Sequence, residues 1–241
     1  GRHKKDVEKK QNKIGVLIQA NAPWGLSRIS KQRRQARFSA NSYTYPKNAG
    51  LGVDVYVIDT GIYVKHTEFE GRARWGITIP KKDFDIDANG HGTHCAGIIA
   101  GKTFGVAKQA NVIAVKVLRS NGFGTNSDVI KGIEWVIKQH RNFVISERKS
   151  IINMSLGGSR SFALDLISQH AIKLGIPLTV AAGNDFEDAC NFSPASVSDA
   201  ITVGAMDQVD SMAFFSNFGQ CVDLFAPGVG ILSSWIGKSN A

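Results

Sequence analysis

Runs of β-branched residues alternate with helical patterns along most of this chain, and this alternation restricts the possible folds. The clearest run, VDVYVID (53–59), ends in Asp-Thr-Gly and is typical of a buried strand. The other predicted strands are NVIAVKVL (111–118), SIINMSL (150–156), IPLTVAAG (176–183), AITVGA (200–205) and CVDLFAPG (221–228). The predicted helices are HGTHCAGIIAG (91–101), NSDVIKGIEWVIKQH (126–140) and SFALDLISQHAIKLG (161–175). The alternation predicts an α/β fold, a doubly wound parallel sheet with helices on both faces.

The ends of these elements carry further expectations. Asn126 or Ser127 is expected to cap the second helix, Ser161 is expected to cap the third, and Gly175 is expected to end it. In parallel sheets, sites form at the carboxyl ends of the strands. The polar residues at or just after the predicted strand ends are Asp59, Ser155 and Asn184.

The net charge of +9 comes from one end of the chain. Residues 1–37 hold eleven Lys and Arg against Asp6 and Glu8, whereas residues 38–241 hold 18 basic and 18 acidic residues. A basic segment can bind an acidic partner, but we favour a solvated, protease-sensitive segment at a processing junction. Because the rest of the chain is neutral, the charge does not indicate a nucleic-acid-binding protein. No apolar run is long enough to span a membrane.

The three cysteines, Cys95, Cys190 and Cys221, form no CxxC pair and do not indicate zinc. Three cysteines allow at most one internal disulfide. Cys95 follows a histidine motif on a predicted buried helix and is expected to be the free thiol. Cys190 and Cys221 can pair, although the sequence leaves the pairing open. A disulfide would indicate a secretory or vacuolar compartment.

Asp59 ends the strand VDVYVID, where a buried carboxylate is costly unless it accepts hydrogen bonds. Thr60 and Gly61 allow a tight turn whose amides could donate them. The carboxylate therefore either stabilises its own turn or takes part in chemistry.

NGHGTHCAG (89–97) places His91 at a predicted helix start, between glycines that let another backbone or a substrate come close. His94 follows one turn later. A zinc site is one alternative, but the spacing is not HExxH and no third ligand is apparent. An ordinary core histidine is another alternative. Two histidines between glycines at a helix start favour a functional role.

Two glycine-rich stretches, NMSLGG (153–158) and AAGND (181–185), also follow predicted strands. Gly157 and Gly158 leave room for an extended peptide along the backbone. Asn184 offers an amide that can donate to an oxyanion. The alternative for each stretch is a tight strand-to-helix turn.

The order DTG, HGTHCAG, SLGG and AAGN on an alternating α/β chain resembles the subtilisin-like serine proteases, or subtilases. From about Asn21 to the end, the chain is similar to their fungal proteinase K and cerevisin-like branch. The similar stretches are NAPWGLSRIS, YVIDTGIY, HGTHCAGIIAGKTFGVAK, VKVLRSNGFGT, CNFSPAS, FSNFG and FAPGVGILSSWIG.

The resemblance implies a role for each matching residue. Asp59 would orient the histidine and stabilise its protonated form, His91 would be the general base, and Asn184 would be the oxyanion-hole amide. Two backbone edges would clamp a peptide, and small residues beside them imply a roomy S1 pocket and broad specificity. The implied substrate-binding residues are Leu118, Arg119, Ser120, Gly122, Ser155, Leu156, Gly157, Gly158, Ala182 and Gly183.

The sequence GKSNA (237–241) resembles the surroundings of a nucleophilic serine, Gly-x-Ser-x-Ala. The family nucleophile lies in G-T-S-M-A at the start of a long buried helix, whereas only Asn240 and Ala241 follow Ser239. In relatives, ILSSWIG precedes the nucleophile by a further short stretch. Ser239 is therefore interpreted as a serine that resembles the nucleophile in its surroundings but is not the nucleophile. The nucleophile is expected beyond Ala241, which would leave the fold incomplete at its C-terminus.

Two functions remain open. The first is a serine endopeptidase of broad specificity with an Asp-His-Ser triad, of which this exact chain would be inactive without its nucleophile. The alternative is a catalytically inactive, subtilase-like fragment that binds a peptide or a protein partner. The presence of Asp59, His91 and Asn184 together favours the first.

The resemblance also implies the surroundings of the protein. Residues 1–20 would be a propeptide end or linker, and residues 21–241 the peptidase domain. The expected partners are a peptide or protein substrate and the chain's own propeptide as inhibitor and chaperone, with no nucleic acid and no membrane. The protein is expected to be a monomer of the secretory pathway, in the vacuole or outside the cell.

No cofactor is expected to be required, and no metal ligands are predicted. Asp223 aligns roughly with a calcium ligand of fungal relatives, but a lone carboxylate is a poor calcium site. Asn191 is the expected glycan acceptor, because the sequon at Asn153 lies in a predicted buried strand.

Overall fold

The computed structural model of the chain describes residues 15–31, 41–143 and 149–237. Ser239 and residues 1–14 and 32–37 of the basic segment lie outside the described residues, so the interpretations given to them stay predictions.

A seven-stranded sheet forms the centre of the described fold. Its strands, in spatial order, are β11 (Leu224–Pro227), β10 (Ile201–Met206), β8 (Leu178–Ala181), β6 (Lys149–Met154), β3 (Val53–Asp59), β5 (Asn111–Lys116) and β4 (Ala73–Thr78). Every neighbouring pair is parallel. All six predicted strands lie in this sheet, so the predicted α/β class is confirmed.

Helices cover both faces of the sheet. They are α1 (Trp24–Ile29), α2 (His91–Ala100), α3 (Asn126–Phe143) and α4 (Phe162–Lys173). Successive residues of a strand point to opposite faces. Tyr56 and Ile58 of β3 therefore pack with the apolar sides of α3 and α4, whereas Val55 and Val57 pack with α2. None of the helices in the described ranges is long and apolar enough to cross a membrane.

The predicted capping residue is confirmed for α4 and is wrong for α3. The Ser161 hydroxyl accepts from the Leu164 amide at the start of α4, and Gly175 follows that helix with a φ of +86°. At the start of α3, the hydroxyl that accepts from the Asp128 amide, at 3.1 Å, belongs to Thr125. The prediction of Asn126 or Ser127 as the cap is wrong, because Thr125 offers the same acceptor one residue earlier.

Two small strand pairs lie outside the main sheet. β1 (Val16–Ala20) pairs antiparallel with β2 (Ser42–Pro46), and β7 (Gly158–Ser159) pairs antiparallel with β9 (Phe192–Ser193). β1 lies within the segment expected to be a propeptide end or linker, and it binds a strand of the expected peptidase domain. The boundary between the two regions stays a prediction.

Cys190 and Cys221 form a disulfide, with their Cα atoms 5.3 Å apart. The bridge joins the short 3₁₀-helix Ala189–Asn191 to the segment that precedes β11. Cys95 is a free thiol, as expected. It is half-buried rather than buried, because it stands one turn after His91 on the side of α2 that faces the candidate site.

Replacing both Cys190 and Cys221 with serine is expected to lower the free energy of unfolding by about 3–4 kcal/mol, because the bridge closes a loop of intermediate length. The two cysteines are 31 residues apart in sequence. Guanidinium unfolding of the complete protein measures the change. Cys95→Ser is the matched control and should leave the unfolding midpoint nearly in place. Equal midpoints for the wild type and the double variant would contradict the prediction.

Candidate active site

Asp59 is the last residue of β3 and is fully buried. The backbone amide of Thr60 donates to its Oδ1 at 2.7 Å, which confirms that the turn after the strand supplies an amide. The imidazole of His91 contacts the same carboxylate. The buried charge is therefore hydrogen-bonded, as burial requires.

His91 is the first residue of α2 and follows Gly90, whose φ of +105° lies in the left-handed region that favours glycine. Its Nδ1 lies 2.8 Å from Oδ1 and 2.9 Å from Oδ2 of Asp59. Because Nδ1 is engaged, Nε2 is the ring nitrogen left to exchange a proton. The side chain is 47% exposed, so the ring can reach a substrate.

Hydrogen bonding to Asp59 raises the pKa of His91 above its ordinary value, and a second contribution comes from the Cys95 thiol. Burial of the ring acts in the opposite direction and is the smaller effect. The Cys95 Sγ lies 4.0 Å from Nδ1. The carboxylate thus favours the protonated imidazolium, which is the charge state that a general base reaches during catalysis.

Asp87, which the sequence analysis did not single out, ties the two catalytic candidates together. Its Oδ1 accepts from the Thr60 hydroxyl at 3.0 Å and from the amides of Asn89 and Gly90 at 3.1 and 2.9 Å. Its Oδ2 accepts from the amide and hydroxyl of Thr93 at 3.0 and 2.6 Å. One carboxylate therefore joins the end of β3 to the start of α2. The Asp-Ala-Asn-Gly run, typical of an Asx-type turn, was the available sequence signal.

Lys116, at the end of β5, binds the turn that follows Asp59 at the end of β3. Its side chain is 1% exposed, and its Nζ donates to the carbonyl oxygens of Thr60 and Leu118, both at 2.9 Å. Asp83 lies 3.6 Å from this ammonium. A buried cation paired in this way fixes the two loops that border the site.

A groove of about 340 Å³ opens beside His91. Seven predicted site residues line it: His91, Leu118, Gly122, Ser155, Leu156, Gly157 and Gly158. The lining also includes residues that were not predicted: Thr60, Asn89, Phe123, Gly124, Thr125, Asn126, Val129, Leu164 and Ser193. Phe123 to Val129 directly follow the predicted loop in sequence, whereas the fold brings Leu164 of α4 and Ser193 of β9 to the groove from distant parts of the sequence.

Six predicted site residues do not line this groove, and one of them, Asp59, is the buried residue that contacts His91. Arg119 and Ser120 lie at the tip of the loop beside it, where the Asn89 side chain donates to the Ser120 carbonyl at 2.9 Å. Ala182 is buried in a small apolar cluster, and Gly183 and the exposed Asn184 follow β8. β8 and β3 run parallel in one sheet, so these residues share the carboxyl edge with Asp59.

The second histidine of the HGTH motif has a different environment. His94 Nε2 lies 3.0 Å from the carbonyl oxygen of Ile231, and its ring contacts Trp235 edge to face. These contacts hold α2 against the segment after β11. Within the described ranges, the group of His, Cys and acidic side chains close enough to share a metal ion is Asp59, His91 and Cys95.

A family model described as the subtilase family matches residues 50–240. The chain belongs to the subtilase family. A subtilisin-like protease of Coccidioides posadasii is 56% identical to this subtilase over 233 residues, and cerevisin of Saccharomyces cerevisiae is 57% identical over 227 residues. The subtilase also matches the crystal structure of a cold adapted subtilisin-like serine proteinase with a TM-score of 0.83 and 44% identity, over 92% of this chain and 78% of that one.

The subtilase spans only part of the length of these relatives. The match covers 93% of this chain but 47% of the Coccidioides protein, and 92% of this chain but 36% of cerevisin. The activity of the complete protein is therefore treated below as a proposal.

Asp223 and the two sequon asparagines, Asn153 and Asn191, do not line the groove. Asp223 Oδ2 accepts from the Thr202 amide at 2.7 Å, so this carboxylate already links β10 to the segment before β11. Asn191 is exposed, whereas Asn153 is half-buried in β6 and donates to the Ser155 hydroxyl at 3.1 Å. Of the two sequons, the one at Asn191 is thus the more accessible.

Proposed function

We propose that the complete protein is a serine endopeptidase of broad specificity. The observation that carries the proposal is the contact between buried Asp59 and partly exposed His91 at the edge of the groove. A carboxylate that fixes Nδ1 leaves Nε2 as a general base aimed away from the carboxylate. Membership of the subtilase family supports the same chemistry.

In the proposed reaction, a serine hydroxyl attacks the peptide carbonyl carbon while His91 Nε2 takes the hydroxyl proton. Asp59 stays ionised and stabilises the imidazolium. His91 then gives the proton to the leaving amine, and water hydrolyses the acyl-enzyme by the same proton path. Asn184 donates to the oxyanion. These steps use protein groups and water, so we propose that the reaction needs no cofactor.

The groove suits an extended peptide chain. On one side, Leu118 and Gly124 form an antiparallel bridge that stiffens the loop edge. On the other side, Gly158 has open space where a side chain would stand, and the nearest atom to a side chain at Gly157 is 3.7 Å away. A peptide could therefore add to these backbone edges as a strand. Small residues on the wall support broad specificity.

We place the nucleophile after residue 241 of the complete protein. Neither of the two serines that line the groove is hydrogen-bonded to His91 in the described part of the chain. Ser155 Oγ accepts from the Asn153 side chain at 3.1 Å, and Ser193 Oγ accepts from the Ser161 amide at 2.8 Å. A triad serine instead needs its hydroxyl bonded to the histidine.

We further propose that the protein acts on peptides or proteins as a monomer of the secretory pathway, in the vacuole or outside the cell. The Cys190–Cys221 disulfide supports an oxidising compartment. Residues 1–20 would be the end of a propeptide that inhibits the enzyme and assists its folding. No nucleic-acid or membrane partner is proposed.

Fluorophosphonate labelling of the complete protein, followed by mapping of the labelled peptide, tests the proposal. We expect one labelled serine beyond residue 241 and hydrolysis of a denatured protein substrate. A label on Ser155, Ser193 or Ser239 would contradict the placement of the nucleophile. Folded protein that takes up no label and hydrolyses nothing would favour the alternative, a protein that binds peptides without cleaving them.

A further inference from the structure

Asn217 is a fully buried residue whose side chain binds the turn that carries Asn184. Its Nδ2 donates to the carbonyl oxygen of Ala182 at 3.0 Å. Its Oδ1 accepts from the amides of Asp185 and Glu187 at 2.9 and 3.1 Å. The three partners stand on both sides of Asn184 in sequence, so a single amide group holds the turn before and after it.

The backbone of the turn fits the same asparagine. The Asn217 amide donates to the Gly183 carbonyl at 3.0 Å. Gly183 has a φ of +111°, and a Cβ there would collide with the Asn217 side-chain nitrogen. The Asn217 side chain therefore occupies the space that the missing side chain of Gly183 leaves open.

Asn217 is itself held by the central sheet. The hydroxyl of the neighbouring Ser216 accepts from the Ala205 amide of β10 at 2.9 Å and donates to the Asn217 carbonyl at 3.0 Å. The Ala213 amide donates to the Ala205 carbonyl at 2.8 Å. β10 lies next to β8, from which the turn leaves the sheet. The turn is thus braced by an adjacent strand.

We propose that Asn217 is a positioning residue that fixes the Ala182–Glu187 turn and, through it, the oxyanion-binding side chain of Asn184. The inference rests on the proposed function, in which Asn184 donates to the oxyanion. Such a donor stabilises developing charge only if it is oriented before the reaction begins. An asparagine side chain supplies both the donor and the shared acceptor that this turn uses. An aspartate would place a carboxylate oxygen against the Ala182 carbonyl.

The kinetic test uses Asn217→Ala in the complete protein. We expect kcat to fall by about 10- to 100-fold, with KM nearly unchanged, because a misplaced donor acts on the transition state. In an Asn184→Ala background the same substitution should have little further effect on kcat, since the donor that it positions is absent. Equal losses in the two backgrounds would overturn the proposal, because they would show a general loss of stability.

Two comparison variants sharpen this test. Asn217→Asp keeps the shape and the shared acceptor but removes the donor, so it should also lower kcat. Asn111→Ala is the matched control. Asn111 Nδ2 donates to Asp54 Oδ1 at 2.8 Å at the opposite edge of the sheet, and its loss should show no coupling to Asn184. Coupling of Asn111 as strong as that of Asn217 would also overturn the proposal.

Hydrogen exchange provides a readout that does not depend on activity. In Asn217→Ala, the amides of Asp185 and Glu187 should exchange faster than in the wild type, because they lose their acceptor. Unchanged exchange in an active protein overturns this inference and leaves the proposed function intact. A folded wild type that hydrolyses no peptide contradicts the proposed function and, with it, the positioning role, whatever the exchange rates.

Discussion

Replacing His91 with alanine in the complete protein is expected to lower kcat for peptide hydrolysis by about 10⁴- to 10⁶-fold, because it removes the proposed general base. Nδ1 of His91 lies 2.8 Å from Asp59, and no other described histidine contacts that carboxylate. The remaining turnover would come from oxyanion stabilisation and substrate binding. Steady-state kinetics with a chromogenic peptide and active-site titration measure the change.

His94→Ala is the matched control for this prediction. His94 lies on the same helix, but its Nε2 contacts the Ile231 carbonyl and its ring packs on Trp235. We expect its removal to lower thermal stability while turnover at low temperature is largely retained. Near-normal turnover in His91→Ala, or a loss confined to His94→Ala, would contradict the assigned base.

Asp59 and His91, whose contact carries the proposal, could be predicted from the sequence. Each stands at an end of a secondary-structure element, where the sequence rules for strands and helices apply. Asp59 ends a buried strand rich in β-branched residues, and His91 begins a helix directly after a glycine. In a parallel sheet, all strands end at the same edge, and the helix that follows any of them begins there, so α2, which follows β4, begins at the edge where β3 ends. The observed contact between the two side chains follows from these positions.

The supporting residues could not be found in the same way, because their roles depend on contacts between distant segments. Asp87 acts through Thr60 and Thr93, and Asn217 reaches Asp185 from 32 positions away. A polar residue in a loop has many possible partners, and spacing alone does not select among them. The Asp-Ala-Asn-Gly run indicates a turn at Asp87, but the partners of Asp87 and Asn217 are defined only by the fold.

β4, β1 and β2 were not predicted from the sequence, because β4 is irregular and because β1 and β2 lie outside the main sheet. β4 (Ala73–Thr78) contains a register shift between Trp75 and Ile77, with a glycine between them. This irregularity interrupts the alternation by which a strand is recognised. β1 and β2 form a two-stranded pair, and its pairing joins residues on either side of α1. Neither strand gains support from the apolar core of the main sheet.

Asp59→Asn is expected to lower kcat by about 10⁴-fold while the fold is kept, because the amide selects the wrong imidazole tautomer. The Thr60 amide donates to Asp59 Oδ1 at 2.7 Å, so an asparagine would keep its oxygen on that side. Its NH₂ group would then face His91 Nδ1, which lies 2.9 Å from Oδ2. Nδ1 would have to accept, Nε2 would carry the proton, and Nε2 could not take a proton from the serine.

The pH dependence of the same variant separates this tautomer effect from a general loss of activity. The hydrogen bond to Asp59 is the main cause of the raised pKa of His91, so its loss should lower that pKa. A base with a lower pKa stays unprotonated to lower pH. The acidic limb of the kcat/KM profile should therefore move to lower pH in Asp59→Asn, although the plateau falls. A limb that stays in place or moves to higher pH would show that Asp59 does not stabilise the imidazolium.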